Sequence, residues 1–146
     1  GVFIPGNVHD EPEGTLEQLI QTNLYSAYYL TRAIVPEMKL KQSGHIFNIC
    51  SVASINPYDG GGSYAISKFA LYGFSQNLRH ELKDHKIRVT AVLPGAVLTE
   101  SWKGTDLPES RFIDVEDVAS LIYNAWAVSK RTVVEEILIR PMEGDI

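Results

Sequence analysis

Two residues with complementary chemistry, Tyr64 and Lys68, lie four positions apart in a segment that is predicted to begin a helix. This spacing places both side chains on one helix face, with Cβ atoms roughly 5–6 Å apart. A phenol normally titrates near ~10, so it is a poor acid–base group at neutral pH. A neighbouring cation favours the phenolate and lowers its pKa. The pair therefore has the composition of a proton donor to a carbonyl, or of a base for an alcohol.

A hydroxyl that could serve the same reaction, Ser51, follows the apolar run His45–Cys50. That run lacks polar alternation and predicts a central parallel strand. At its end, Ser51 could hold and polarise the substrate oxygen that the phenol protonates. The alternative is structural, with Tyr64 a half-buried aromatic and Lys68 a solvated helix residue. One Tyr-x-x-x-Lys pattern among seven tyrosines does not decide between the two interpretations.

The composition argues against several classes of function. The chain has 146 residues, 45% of them hydrophobic, and a net charge of −5, which suits one domain over residues 1–146 and disfavours nucleic acid as a partner. No apolar run approaches the ~20 residues of a membrane span. A single cysteine, Cys50, and four histidines without ligand spacing predict no disulfide and no metal site. Without a signal peptide, the expected location is cytoplasmic.

Helices and strands are predicted to alternate along the chain. The first strand would end within Gly1–Ile4, and a helix over 16–41 would begin with Thr15 as N-cap, Gln18 completing a capping box and Pro36 causing a kink or a break. The later elements are a strand at 45–50, a helix over 64–83 capped by Ser63, a strand at 88–93, an irregular segment over 99–113, a helix over 115–128 capped by Asp114, and a strand at 133–140.

This alternation is typical of α/β proteins with a parallel sheet and right-handed β-α-β crossovers. In such sheets ligands bind beyond the carboxyl ends of the strands. Ser51 and the turn at Pro94-Gly95 both follow predicted strands, so we expect them at the same edge of the sheet.

The residues Asn23, Ser51, Tyr64 and Lys68, followed by the segment LPGAVLT at 93–99, resemble the short-chain dehydrogenase/reductase family in type, order and spacing. The resemblance covers essentially the whole chain. It implies a Rossmann-like doubly wound parallel sheet, of which this chain would contain the second, catalytic half. The family's first three strands and its Gly-rich turn have no counterpart in the sequence.

The resemblance also implies roles for individual residues. Tyr64 would be the acid/base, and Ser51 would bind the substrate oxygen. Lys68 would lower the pKa of Tyr64 and hold the nicotinamide ribose. The backbone at Asn23 would hold a water of the proton relay.

By the same resemblance, several residues would contact the cofactor or the substrate. The cofactor residues would be Gly1, Tyr64, Lys68, Pro94, Gly95, Val97 and Thr99. The substrate residues would be Ser51, Tyr64 and Trp102. The cofactor would be NAD or NADP. The tail of the sequence resembles a bacterial subgroup described as sepiapterin-reductase-like or 3-oxoacyl-reductase-like, which favours NADP.

The implied activity is hydride transfer between a nicotinamide and a small carbonyl or alcohol substrate. One alternative is a non-catalytic protein that senses or binds a dinucleotide, which would not need a tuned phenol. Another is an inactive fragment of such an enzyme, which would show no tight dinucleotide binding. Oxidation of NAD(P)H by the full-length protein with a panel of ketones separates these hypotheses.

Two further expectations concern surfaces. The helices over 16–41 and 64–83 have aromatic residues beyond one stripe, which predicts a homodimer or homotetramer through these helices. The family's usual dimer, a four-helix bundle of the equivalent helices, agrees. The aromatic residues are Tyr25, Tyr28, Tyr29, Phe69, Tyr72 and Phe74.

The polar segment 99–113 is long enough to be a lid, in which Trp102 would either close on a bound ring or pack on the domain.

Overall fold

The computed structural model describes residues 1–146, in which four α-helices and three β-strands alternate after an irregular N-terminal segment. In chain order they are α1 (Thr15–Ile20), α2 (Ser26–Lys41), β1 (Gly44–Ile49), α3 (Gly62–Leu82), β2 (Ile87–Pro94), α4 (Val115–Ala127) and β3 (Glu136–Ile139). A π-helical turn, Gln21–Tyr25, joins α1 to α2. None of the helices combines the length and the hydropathy needed to span a bilayer.

The three strands form one parallel sheet in the order β1-β2-β3. The register pairs Ile46 with Val89 across β1 and β2, and Val92 with Ile137 across β2 and β3. This arrangement confirms the predicted α/β fold with a Rossmann-like parallel sheet. The carboxyl ends of β1 and β2 lie at the same edge, as expected for Ser51 and Pro94-Gly95.

Side chains of β2 alternate between two core layers, because successive residues of a strand point to opposite faces. Val89 packs with Leu78 of α3, and Ala91 and Leu93 pack with Leu71 of the same helix. Val92, on the other face, packs with Ala125 of α4. The sheet is therefore covered by α3 on one face and by α4 on the other.

The placement of α3 and α4 on opposite faces of the sheet contradicts one part of the prediction, the hand of the crossovers. β1, β2 and β3 lie side by side in chain order, so the crossovers through α3 and through α4 advance in the same direction across the sheet. Because they use opposite faces, the two crossovers have opposite hands. The expectation that both are right-handed is wrong for one of them. The long segment between Pro94 and Val115 lets the chain pass around the end of the sheet to the second face.

The N-terminal region also differs from the prediction. Residues Gly1–Ile4 form no strand, and Thr15 does not cap α1, which follows Gly14 in the left-handed conformation (φ 88°). Thr15 is instead the first helical residue and is buried. A residue with positive φ favours glycine, so the backbone at Gly14, rather than a side-chain oxygen, sets where α1 begins.

Residues 16–41 are helical throughout, as predicted, with a π-helical turn at Gln21–Tyr25 and no break at Pro36. α2 continues through Pro36 because Val35 and Met38, on either side of it, both pack against the core cluster around Leu78. Such tertiary packing supplies most of the stability of a helix in a protein. It outweighs the hydrogen bond that proline cannot donate.

The remaining boundaries confirm one cap and correct another. Asp114 caps α4 as predicted, since its Oδ1 accepts a hydrogen bond from the Glu116 backbone N–H at 3.0 Å. Ser63 does not cap α3, because α3 already begins at Gly62 and the buried Ser63 hydroxyl donates to the carboxylate of Glu11. β3 is limited to Glu136–Ile139, shorter than the predicted 133–140.

A histidine in β1 gives the fold a sensitivity to acid. His45 Nε2 lies 2.7 Å from the Thr90 hydroxyl, which itself donates to the Val134 carbonyl at 2.6 Å. Nε2 must therefore carry the proton, and the buried Nδ1 has no partner. Burial, assisted by the positive charge of Arg88, lowers the pKa of His45 to about 4.

We expect wild-type stability to fall as the pH is lowered from about 6.5 to about 4, by up to about 3 kcal/mol. The sign follows because the unfolded histidine binds a proton in this range and the folded one does not. Urea unfolding of the full-length protein across this range measures the effect. His45→Phe removes it, whereas His9→Phe, at an exposed position, retains it. Equal pH dependence in wild type and His45→Phe would contradict this prediction.

Candidate active site

Tyr64 and Lys68 lie one turn apart near the start of α3, as the sequence predicts. The Lys68 Nζ is 5.8 Å from the centroid of the Tyr64 ring. Although Lys68 is only 6% exposed, its ammonium donates to the Ile49 carbonyl at 2.9 Å. An ammonium has three N–H donors, so this bond leaves two for another acceptor.

Ser51 lies just beyond the carboxyl end of β1 and is fixed by a tight turn. Its hydroxyl accepts from the Ala53 backbone N–H at 3.1 Å, and its own backbone N–H donates to the Ser54 hydroxyl at 3.2 Å. These reciprocal bonds form a capping box for the short 3₁₀ turn Val52–Ser54. The Ser51 hydroxyl is close enough to the Tyr64 phenol to lower its pKa by hydrogen bonding.

The electrostatics of the pair differ from the expectation. Burial raises the pKa of Tyr64, the Ser51 hydroxyl lowers it by hydrogen bonding, and Cys50 raises it further. Burial also lowers the pKa of Lys68. Burial therefore outweighs the Ser51 hydrogen bond, and the pKa of Tyr64 stays above the usual tyrosine value.

Asn23 is brought to the site by the π-helical turn. Its side chain accepts from the Val2 N–H at 2.7 Å and donates to the Val2 carbonyl at 2.9 Å. It also donates to the Ser67 hydroxyl at 3.0 Å, which in turn donates to the Tyr64 carbonyl at 2.7 Å. π-Helical turns occur frequently at functional sites. Here the turn connects the N-terminal segment to the helix that carries the phenol.

Gly1 lies close to two of these residues. A Cβ at Gly1 would be 2.8 Å from the Asn23 Oδ1 and 3.3 Å from the Lys68 Nζ. This approach, together with the two remaining N–H donors of Lys68, fits the binding of ribose hydroxyls from a nicotinamide nucleotide. The structure thus brings together Gly1, Asn23, Ser51, Tyr64 and Lys68.

The other predicted cofactor residues follow β2 at the same edge of the sheet. The Gly95 N–H donates to the Ile139 carbonyl at 2.8 Å, and Pro94 pairs with Ile139 in the sheet. Val97 forms an isolated parallel bridge with Ile113. Thr99 precedes a 3₁₀ turn, Glu100–Trp102, and is exposed.

Trp102 packs on its own segment. Its ring meets the buried Phe112 edge-on, with 5.1 Å between ring centroids. Because Phe112 belongs to the same segment 99–113, this contact does not decide between the two interpretations of Trp102. The role of residues 99–113 as a lid, and of Trp102 as a substrate contact, stays a prediction.

Several residues around the phenol were not predicted from the sequence. Phe3 meets the Tyr64 ring edge-on at 4.9 Å between centroids, and Ser67 contacts both Asn23 and the Tyr64 backbone. Burial, and secondarily Tyr64, raises the pKa of Tyr58 to about 12. The serine directly before Lys68 was a usable signal, but no local pattern indicates Phe3 or Tyr58.

Comparison with known proteins identifies the class of protein that this site belongs to. Residues 1–109 match the family described as short chain dehydrogenase. A sepiapterin reductase of Chlorobaculum tepidum is 37% identical over 147 residues, covering 100% of this chain and 60% of that protein. The chain therefore belongs to the short-chain dehydrogenase/reductase family of oxidoreductases, which confirms the predicted resemblance.

Solved structures agree with this assignment. Serine dehydrogenase from Escherichia coli is 28% identical with a TM-score of 0.86, over 100% of this chain and 62% of that chain. A metagenomic short-chain oxidoreductase in complex with NADP is 28% identical with a TM-score of 0.78, over 97% of this chain and 59% of that chain. The present chain thus spans about three fifths of the length of these relatives.

We expect Tyr64 to titrate above the usual tyrosine value of ~10 in the nucleotide-free, full-length protein, because burial disfavours the phenolate. The difference in phenolate absorbance between wild type and Tyr64→Phe, followed against pH, measures this. Tyr58→Phe serves as the matched control, because burial also raises the pKa of Tyr58 and its titration must be told apart from that of Tyr64. A Tyr64 midpoint at or below the usual value would show that Lys68 outweighs burial.

Proposed function

We propose that the protein is an NAD(P)-dependent oxidoreductase that interconverts a small carbonyl compound and the corresponding alcohol. The observation that supports this most directly is the meeting of Tyr64, Lys68 and Ser51 at the carboxyl end of β1. A phenol, an ammonium and a hydroxyl grouped at one sheet edge can bind and protonate one substrate oxygen.

Each of these residues has a distinct task in carbonyl reduction. Ser51 donates a hydrogen bond to the carbonyl oxygen and fixes its position. Tyr64 transfers its phenolic proton to that oxygen as the carbon–oxygen double bond becomes single. A bound dihydronicotinamide supplies the hydride to the carbonyl carbon. In alcohol oxidation the same groups act in the reverse sense, and the tyrosine phenolate accepts the proton.

Lys68 supports this proton transfer in two ways. Its free N–H donors bind the ribose hydroxyls of the nucleotide, with Gly1 giving close approach at this point. Its charge stabilises the phenolate that forms when Tyr64 gives up its proton. The backbone at Asn23 holds the water through which Tyr64 regains a proton, and the segment Pro94–Thr99 flanks the nicotinamide.

We further propose NADP as the preferred cofactor and residues 99–113 as the segment that covers the substrate. The NADP complex of the metagenomic relative supports this preference. The substrates named for the relatives define a first panel, consisting of sepiapterin and L-serine, to which diacetyl is added as a simple diketone. Initial rates with NADPH and NADH, or with NADP and NAD for serine, test the cofactor preference and show which substrate of the panel reacts.

Tyr64→Phe should reduce kcat with the best substrate of this panel by about 10² or more, since general acid–base catalysis contributes this much. Steady-state kinetics on the full-length protein provides the measurement, and circular dichroism verifies the fold. Tyr123→Phe, at an exposed position on α4, is the matched control and should retain wild-type turnover. Full activity of Tyr64→Phe would remove the phenol from the mechanism.

We also propose that the protein is a homodimer or homotetramer that associates through α2 and α3. Tyr29 is 60% exposed on α2, Tyr25 at the N-cap of this helix is 40% exposed, and Phe69 is 44% exposed on α3. The rings of Tyr28 and Tyr29 lie 5.4 Å apart and continue this apolar surface. Tyr72 and Phe74, which were expected on the same surface, are half-buried and also pack against the chain's own core.

A charge placed on this surface should dissociate the oligomer. In the double variant Tyr25→Glu/Tyr29→Glu, two carboxylates would have to be buried without partners, so we expect a shift to monomer. Sedimentation velocity of the full-length protein at micromolar concentration measures it. Val8→Glu, an exposed apolar residue outside α2 and α3, should leave the assembly intact. A monomeric wild type would refute the proposal.

A further inference from the structure

The helix that carries Tyr64 begins without a local cap. Gly61 is the N-cap of α3 and offers no side-chain oxygen, and the first turn contains no acidic residue. The first backbone N–H groups of a helix have no partner within it and need acceptors from elsewhere. The phenol projects from this same first turn, two residues after Gly62.

The missing acceptor comes from Glu11, in the loop that precedes α1. Its Oε2 accepts from the Ser63 backbone N–H at 3.2 Å, and its Oε1 accepts from the Ser63 hydroxyl. One carboxylate thus satisfies two donors of a residue that is 1% exposed. Glu11 and Ser63 are 52 positions apart, so this is a tertiary cap and not a local motif.

The backbone around this contact leaves little freedom. A Cβ at Gly62, where φ is +39°, would lie 2.5 Å from the Gly6 carbonyl and 2.8 Å from the Glu11 Oε2. The Gly6 N–H donates to the Gly60 carbonyl at 3.0 Å, and the Glu11 N–H donates to the Asn7 carbonyl at 2.9 Å. The loop and the helix start therefore hold each other in one position.

The same N-terminal segment is also attached to the site itself. Asn23 binds both backbone groups of Val2, and Phe3 packs on the Tyr64 ring. The N-terminal region therefore meets the phenol from two sides, with Glu11 at the first turn of α3 and Phe3 on the Tyr64 ring.

We propose that Glu11 is a positioning residue for Tyr64, which fixes the first turn of α3 so that the phenol meets the oxygen held by Ser51. The proposal rests on the function proposed above and adds a residue that makes no contact with substrate. A displacement of about 1 Å at a reacting group can cost on the order of 10²-fold in rate. Loss of the cap should therefore appear in kcat rather than in KM.

The test compares Glu11→Ala, Glu11→Gln and Ser63→Ala in the full-length protein, assayed with NADPH and diacetyl well below the melting temperature of each variant. If diacetyl is not reduced, the fastest substrate of the panel replaces it. We expect Glu11→Ala to lower kcat by about 10- to 100-fold with little change in KM. Glu11→Gln, which keeps an acceptor oxygen, should recover part of this loss. Glu13→Ala, at an exposed acidic position in the same loop, should match wild type.

Two further measurements separate positioning from general stabilisation. The double variant Glu11→Ala/Ser63→Ala should be no slower than Glu11→Ala alone, because Glu11→Ala already removes the hydroxyl contact that Ser63→Ala would remove. Hydrogen exchange at the amides of residues 63–65 should accelerate in Glu11→Ala, with exchange in the sheet unchanged. If Glu11→Ala does not fold, kcat and amide exchange of Glu11→Gln and Ser63→Ala are compared with those of wild type instead.

The outcomes are distinguishable. Wild-type kcat in both Glu11→Ala and Ser63→Ala, with Tyr64→Phe inactive, overturns the positioning role and leaves the proposed function in place. Wild-type kcat in Tyr64→Phe overturns the proposed function instead. A fall in kcat without faster exchange at the start of α3 would also contradict the positioning role.

Discussion

The hydrogen bond from the Lys68 ammonium to the Ile49 carbonyl connects the two elements on which the site depends. It joins α3, which carries the phenol, to the end of β1, which carries the hydroxyl of Ser51. A buried ammonium is costly unless it is hydrogen-bonded, so the helix cannot slide along the strand without leaving this charge unpaired. The position of Tyr64 relative to Ser51 is therefore fixed by the need to keep the buried Lys68 ammonium hydrogen-bonded.

This burial also explains the ionisation of the pair. Desolvation raises the pKa of Tyr64 and lowers that of Lys68, so both groups are pushed towards their neutral forms. A phenol with a raised pKa keeps its proton until a substrate oxygen takes it. Acceptors for the two remaining N–H donors of Lys68 would favour its charged form, and through it the phenolate. Nucleotide binding and acid–base chemistry are therefore coupled at one ammonium.

The sequence was sufficient for features that depend on periodicity or on neighbouring residues. Helical spacing predicted the Tyr64–Lys68 pair, the apolar runs predicted β1 and β2, and the Asp114 cap was visible locally. Features set by distant contacts were not predictable. The cap of α3 comes from Glu11, the helix over 16–41 contains a π-helical turn and continues through Pro36, and α4 lies on the opposite face of the sheet. Each is decided by packing between segments far apart in the chain, which no local pattern records.

The rotation of α3 about its axis is set by a polar motif that occurs twice. Asn23 donates to Ser67, which donates to the Tyr64 carbonyl; two turns further on, Asn48 donates to Ser75, which donates to the Leu71 carbonyl. Both serines are fully buried, and small side chains allow the helix to approach the sheet closely. Apolar contacts tolerate a small rotation, but a buried amide that loses its partner costs about 1–3 kcal/mol. These two amides therefore select one orientation of the helix, and with it the direction in which the phenol points.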